Sequence, residues 1–488
     1  MTDFTLNTDV RTDFPHYWEL CTGSCHAYTA LREDYRKQLK RAHDELGFKY
    51  VRFHGLLDDD MCICVADRDA AGKQTGIIYN FVNMDSIFDF LLSIGMKPFI
   101  ELGFMPTVLA GGTTTCFHYK GNVTPPADYG EWGKLVGLLA EHAAERYGYD
   151  EVRTWYFEVW NEPNLSYFFT GTQDEYFKLY DYAARAVKSV DSRFRVGGPA
   201  TSCNSWIPDM IRHCREENVP LDFISTHHYP TDDPLWRNGG ISVEEFFKKI
   251  GGTLGSYERG VLRKMTEKAR EEAGNLPLIY TEWNTSAMTR DSKHDESYAS
   301  AMIAKTLADN DGLVQGYSYW TFTDIFEEGS QIPGAFHGGF GLQSYAGIAK
   351  PAYRLFQLFH GLGTKRIGVS SDRSGGTVEA LAAETESGYR IIIYNHNIPD
   401  APIGTENVRI DISSVPGKKS LTLYRIDDAH ANAAAVWKQA GSPEYLKPAD
   451  VEKLHKASEL VPEKIGLSDF PEIQIPAYGV AALDIVCR

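Results

Sequence analysis

Two hydrophobic periods alternate along the first two thirds of the chain. Short runs rich in β-branched and aromatic residues read as extended segments at 17–22, 50–55, 97–103, 155–161, 195–200, 223–228, 278–284 and 316–322. Between them, apolar positions recur every three to four residues, the period of an amphipathic helix. The stretch 31–46 is typical: Tyr35, Leu39, Ala42 and Leu46 share one face, and Gly47 is a stop signal. Further helices are expected over 84–94, 128–147, 174–190, 206–217, 257–273 and 294–309. Strands alternating with helices in this way predict an α/β fold, a parallel (β/α)8 barrel. An open doubly wound sheet is the alternative, but the Gly-x-Gly-x-x-Gly turn that usually follows its first strand is absent. Surplus length at 104–126, 230–253 and 323–349 is assigned to loops on the active-site face.

After a helix over 350–362 the pattern changes. Glycines and serines between 361 and 376 precede short strands at 377–384, 389–396, 407–412, 421–426, 472–476 and 480–486, interrupted by a helix over 443–460. This predicts an accessory C-terminal β-sandwich. An extended segment at 3–9 precedes the barrel and is expected to supply one more sandwich strand. The expected organisation is a catalytic barrel over 14–360 and a sandwich over 361–488, joined by a strand within 1–13.

Composition narrows the function. The chain has 488 residues, a formal charge of −17 and 12% aromatic residues. Acidity without a basic patch disfavours nucleic acid and anionic membrane surfaces as partners. No apolar run reaches the roughly 18 residues of a membrane span. Residues 1–20 lack a basic segment followed by an apolar one, so a cytoplasmic location is expected. The eight cysteines are expected to be free thiols. The spacings Cys62-x-Cys64 and Cys21-xxx-Cys25 do not fit a zinc site, and neither metal nor other cofactor is expected. The aromatic load suits large cores or a carbohydrate-binding cleft.

Candidate chemistry lies at the strand ends, which in a barrel face the active site. The fourth strand ends Trp160-Asn161-Glu162-Pro163-Asn164, and Pro163 predicts an extended Glu162. The seventh ends Thr281-Glu282-Trp283-Asn284. The others of note end in His54-Gly55, His227-His228-Tyr229 and Trp320-Thr321-Phe322. Either glutamate alone reads as an ion-paired strand end. Together, across one mouth, they suit glycoside hydrolysis, where one carboxyl donates a proton and the other acts ionised. Their separation decides the outcome: about 5–5.5 Å for retention of configuration, roughly 6.5–9.5 Å for inversion.

These motifs resemble glycoside hydrolase family 39, in particular its bacterial β-xylosidases. Further matching segments are Val51-Arg52-Phe53-His54-Gly55-Leu56-Leu57, Gly103-Phe104-Met105-Pro106, Gly121-Asn122-Val123-Thr124-Pro125-Pro126, Ser318-Tyr319-Trp320-Thr321-Phe322 and Phe336-His337-Gly338-Gly339-Phe340-Gly341-Leu342. The resemblance implies a retaining double displacement with Glu162 as acid/base and Glu282 as nucleophile. It implies that Asn161 meets the sugar 2-hydroxyl and that His54 and the Gly55 backbone hold outer hydroxyls. His227 and Tyr229 should line the pocket with Phe117, Trp320 should stack on the sugar, and Glu327 or Glu328 should bind hydroxyls. The family commonly has Arg where this chain has Thr226 and often an aromatic where it has Ala287; both changes are expected beside the sugar. The expected activity is an exo-acting β-xylosidase on short xylo-oligosaccharides. Arabinopyranose, glucose or galactose specificity stays open, and a non-catalytic sugar-binding barrel is the reading from another class. Iduronate is disfavoured, because no cationic partner for its carboxylate is identifiable. Family members are often homo-oligomers.

Overall fold

The computed structural model describes residues 1–232, 258–329 and 333–487. Eight parallel strands close into a barrel in chain order: Cys21–His26, Tyr50–His54, Lys97–Leu102, Tyr156–Val159, Arg195–Thr201, Phe223–His227, Leu278–Trp283 and Gly316–Tyr319. The eighth meets the first through Tyr319 and Thr22. Alternate residues of a strand face the barrel axis, so the interior is built in layers. The floor is apolar, formed by Cys21, Phe99, Phe223 and Ile279, with Tyr50 and Tyr156 packed against them. Two residues further along, Arg52, Glu101 and Glu158 occupy the middle of the barrel, all fully buried. His54 and His227 come next, toward the mouth.

Strand seven breaks the alternation. Its register slips against both neighbours near Thr281 and Glu282. An irregularity of this kind re-aims side chains. Here both residues reach the interior: Thr281 bonds to Glu158, and Glu282 bonds to Arg52.

Helices cover the outside of the barrel, among them Glu33–Leu46, ended by Gly47 in the left-handed conformation, and Gln173–Val190, started by a Thr172–Glu175 capping box. No helix of the described residues is long and apolar enough to cross a membrane. All eight cysteines are free.

Apart from two small two-stranded sheets, the remaining strands form one nine-stranded sheet that curls over its own core as a sandwich. Strand Thr2–Asp13 lies inside this sheet, antiparallel to Lys365–Ser371 and parallel to Glu406–Asp411. Arg259 and Lys305 on the barrel side both bind Glu379 of the sheet, at 2.9 and 3.0 Å.

Several expected elements shift. The first barrel strand runs over 21–26, not 17–22; Tyr17–Glu19 is a 3-10 turn whose aromatic residues pack against outer helices instead, with the Tyr17 hydroxyl donating to Leu307 O at 2.6 Å and Trp18 edge-on to Phe359 at 5.4 Å. Lys365–Ser371 is a strand although its glycine and serine content reads as a linker, because Thr2–Asp13 supplies the pairing partner. A hairpin of Cys64–Arg68 and Gln74–Tyr79 and a helix over Ala433–Gln439 were not expected. The helix expected over 443–460 contracts to Pro448–Ala457. Of the loop expected at 230–253, positions 233–253 lie outside the described residues.

Candidate active site

A cavity of about 340 Å³ opens at the C-terminal ends of the barrel strands. Among its lining residues are His54, Phe117, Asn161, Glu162, Tyr229, Glu282, Trp320 and Glu328.

The strand that leads to Glu162 stops at Val159. Glu162 is not extended: its φ is 43°, and that of Trp160 is 73°. Pro163 disfavours only the right-handed helical region for the residue before it. The left-handed turn is held from both sides, by Glu162 N donating to Ala200 O at 2.8 Å and Leu165 N donating to Glu162 O at 2.9 Å. Such conformations cost about 1–3 kcal/mol and persist where surroundings enforce them. This one aims the carboxyl into the mouth.

One oxygen of Glu162, one of Glu282 and a ring nitrogen of His227 all lie within 4.8 Å of one another. An oxygen pair this close is nearer the roughly 5–5.5 Å spacing of retaining carboxyl pairs than the roughly 6.5–9.5 Å of inverting ones. The two carboxyls differ in their partners. Glu282 accepts from Arg52 Nη1 at 2.9 Å and from the Tyr229 hydroxyl at 2.9 Å, and His54 Nε2 is 3.6 Å away. Glu162 has His227 Nδ1 at 3.0 Å, and no described lysine or arginine pairs with it. Burial raises the pKa of both. For Glu162 the charge of Glu282 adds to the rise, then that of Asp232; for Glu282, Arg52 and His54 oppose it. The negative charge therefore settles on Glu282 and the proton on Glu162.

The hydrogen bonds point the same way. The Thr281 hydroxyl donates to Glu158 at 2.8 Å, so its oxygen is an acceptor for His227 Nε2–H at 3.0 Å. Burial holds His227 neutral, with its pKa well below the ordinary value. A neutral imidazole has one N–H. With that N–H committed to Thr281, Nδ1 carries a lone pair, and Glu162 must be the donor across the 3.0 Å contact.

Arg52 ties the site together. It binds Glu158, Glu101 at 2.9 Å, Glu282, and the Asn161 side-chain oxygen at 2.9 Å. Fixing that oxygen leaves the Asn161 amide N–H groups for the cavity. Glu101 also lies 2.7 Å from His54 Nδ1. Burial would keep His54 neutral, but Glu101, then Glu282, outweigh it and raise its pKa. Glu328 is half-buried with its pKa pushed up to about 8, because desolvation exceeds the pull of His54, 3.7 Å away.

The other sequence-predicted residues divide. Phe117 stacks near His54 with centroids 6.1 Å apart, and Trp320 lies 4.7 Å from the same ring. Gly55 adopts φ 64° in the turn that accepts from Asp58 N. Glu327 turns away to Arg32 at 3.2 Å and is not a lining residue; Glu328 is. Ala287 lines the cavity, whereas Thr226 faces outward and donates to Thr201 O at 3.0 Å, as alternation with inward His227 requires. Sequence reasoning gave no role to Arg52, Glu101, Glu158, Asp232 or Tyr167. Charges at the middle of three apolar strands were the available signal for the first three.

A family model described as Glycosyl hydrolases family 39 matches residues 6–467. A β-xylosidase of Caldicellulosiruptor saccharolyticus is 51% identical over 451 residues, covering 92% of this chain and 90% of that one. A β-xylosidase of Geobacillus stearothermophilus is 37% identical over 453 residues, covering 92% and 87%. The crystal structure of a monomeric β-xylosidase from Caulobacter crescentus superposes over 100% of both chains with a TM-score of 0.87 and 31% identity.

Proposed function

The chain belongs to glycosyl hydrolases family 39 and is a glycoside hydrolase, and from that premise we propose that it is a retaining exo-β-xylosidase releasing xylose from short xylo-oligosaccharides. The observation that carries the mechanism is the unequal pair: an oxygen of Glu162 and one of Glu282 lie within 4.8 Å, and among the described residues only Glu282 of the two has an arginine. Specificity for xylose rests on the likeness to the two β-xylosidases, each aligned over 92% of this chain.

In the first step, ionised Glu282 attacks the anomeric carbon. As that bond forms, the glycosidic C–O bond breaks and the leaving oxygen takes the proton of Glu162. Arg52 and Tyr229 keep the nucleophile charged and oriented through its two oxygens. In the second step Glu162, now a carboxylate, removes a proton from water, which attacks the same carbon and frees Glu282. Asn161 presents its amide to the 2-hydroxyl, a contact that strengthens as the ring flattens. His54, Glu328 and Trp320 hold the sugar itself, and Phe117 walls it. We place the activity within residues 14–360 and in the cytoplasm, and expect a homo-oligomer to be testable by light scattering.

A panel of aryl glycosides tests the reading. Turnover of aryl β-xyloside above aryl β-glucoside, β-galactoside and α-arabinopyranoside supports it. A preference for another sugar transfers the same chemistry to that sugar, and no release from any of them defeats the enzyme assignment for this site. Proton NMR during turnover should show the β-anomer of the product first; initial α-anomer would exclude retention.

A further inference from the structure

The end of the barrel opposite the catalytic mouth carries a second cluster of convergent side chains. The 3-10 turn Tyr17–Glu19 lies just before strand one, and Glu19 O accepts from Lys49 N just before strand two. Residues three apart in a 3-10 turn eclipse, so His16 and Glu19 stand one above the other. His360, the last residue of helix Pro351–His360, meets them. His16 Nδ1 and His360 Nδ1 lie 2.7 and 2.8 Å from the same Glu19 oxygen. One ligand atom from each of the three residues falls within 4.8 Å of the other two.

Three observations separate this cluster from an ordinary ion pair. First, His16 Nε2 faces Gly363 O at 3.3 Å, a contact that only an N–H can make. A neutral imidazole has one N–H, so its Nδ1 then presents a lone pair to the carboxylate. Two acceptors face each other across 2.7 Å unless a proton or a cation lies between them. A backbone carbonyl that holds the outer N–H is the arrangement metal-binding histidines use. Second, the other Glu19 oxygen has its own partner, Lys49 Nζ at 3.8 Å, which leaves one oxygen turned to the rings. Third, the backbone makes room: Gly47 has φ 77°, and a Cβ there would collide with His360 Nδ1 and the Glu19 carboxyl. Solvent reaches the cluster past His360, whose side chain is 40% exposed, against 12% for His16 and 6% for Glu19.

Two imidazoles and a carboxylate suit a divalent transition metal, whereas calcium and magnesium want oxygen ligands throughout. We propose that His16 Nδ1, Glu19 Oε1 and His360 Nδ1 form a site for a zinc-class divalent cation, with water completing the coordination on the exposed side. Zinc takes such ligands at about 2.0–2.2 Å, which sets the ligand-to-ligand edges of a tetrahedron at about 3.3 Å. The rings therefore part by about half an ångström on binding, a movement open to the half-exposed His360. The ion clamps the turn before strand one to the helix that leads into Lys365–Ser371. Cysteine spacing gives no sign of such a site: none of the ligands is a cysteine, and 341 positions separate Glu19 from His360.

The test uses the full chain, stripped with EDTA and titrated with zinc chloride in a calorimeter. One ion per chain should bind and raise the melting temperature, with turnover of an aryl glycoside unchanged. In His360→Ala the dissociation constant should rise about tenfold or more, and the zinc-induced rise in melting temperature should vanish. That shift is read against each protein's own metal-free value, so a change in basal stability does not enter. Cobalt chloride should give a visible d–d band in the wild type that His360→Ala lacks. No binding to the wild type, or equal affinity in His360→Ala, overturns the site. Zinc binding that inhibits turnover and persists in His360→Ala lies on Glu162, His227 and Glu282 instead, and overturns it too.

Discussion

Arg52 donates through Nη1 to Oε1 of Glu282 at 2.9 Å, and both side chains are buried. Replacing the arginine would leave Glu101, Glu158 and Glu282 with no guanidinium among them. Breaking a buried ion pair costs about 3–5 kcal/mol. Arg52→Met should therefore lower the melting temperature strongly, by calorimetry, and abolish activity in whatever protein folds. A variant with native stability would show that the interior charges rearrange without Arg52.

The two glutamates should fail differently. Glu282→Ala should lose turnover, and azide should restore release of an aryl aglycone with a glycosyl azide of inverted configuration. Glu162→Ala should lose roughly 10²–10⁴-fold on poor leaving groups, the usual size of a general-acid contribution. It should retain the first step for activated ones. Near-native rates in either variant on unactivated substrate would displace the assignment.

Thr281 never touches substrate in this scheme, yet it fixes the His227 tautomer. In Thr281→Val, His227 Nε2–H loses its acceptor, and the tautomer with Nδ1–H becomes competitive. That N–H donates to an ionised Glu162 and favours its charged form. The basic limb of the kcat/KM profile should shift to lower pH, while KM for a good substrate changes little. An unshifted limb would show that the tautomer does not hold the proton on Glu162.

Stability should depend on pH through Glu19, far from the cavity. Burial raises its pKa, but His16 at 2.7 Å and His360 at 2.8 Å together outweigh this and hold it below the ordinary value. A carboxyl depressed in the folded state stabilises above its unfolded pKa, and the contribution disappears as pH falls through the folded value. Melting temperatures of wild type and Glu19→Gln should differ most near neutrality. The gap should narrow as pH drops below about 4.3, the ordinary glutamate value. A gap that widens on acidification would reverse the sign of the effect.

Much of this was legible in the chain because period and punctuation agree locally. Each of the eight extended runs corresponds to one barrel strand, usually within two residues at either end. Glu162 and Glu282 stood out because a polar residue at an apolar strand's end contradicts its own pattern. The same contrast was present at Arg52, Glu101 and Glu158. However, each is a lone charge in its strand, and only closure of the barrel sets strands two, three and four side by side. The Glu162 backbone was misjudged for a similar reason: the turn is enforced by Ala200, on the next strand. Tyr17 and Trp18 have strand-forming side chains, but they are buried against Leu307 and Phe359 of the outer helices rather than paired in the barrel sheet.

The strand at the N-terminus has a consequence for how the chain assembles. Phe4 pairs with Ser371, and Thr5 pairs with Asp411, so a segment made before the barrel is completed by segments made after it. Contacts of such sequence separation slow folding. During synthesis the barrel strands are all available before the sheet can close, and residues 2–13 must wait without a partner. Removing those residues would leave Lys365–Ser371 and Glu406–Asp411 with unpaired edges facing solvent, a template for association with other chains. A substitution that blocks pairing of residues 2–13 should therefore appear as aggregation during expression, before any loss at the catalytic centre.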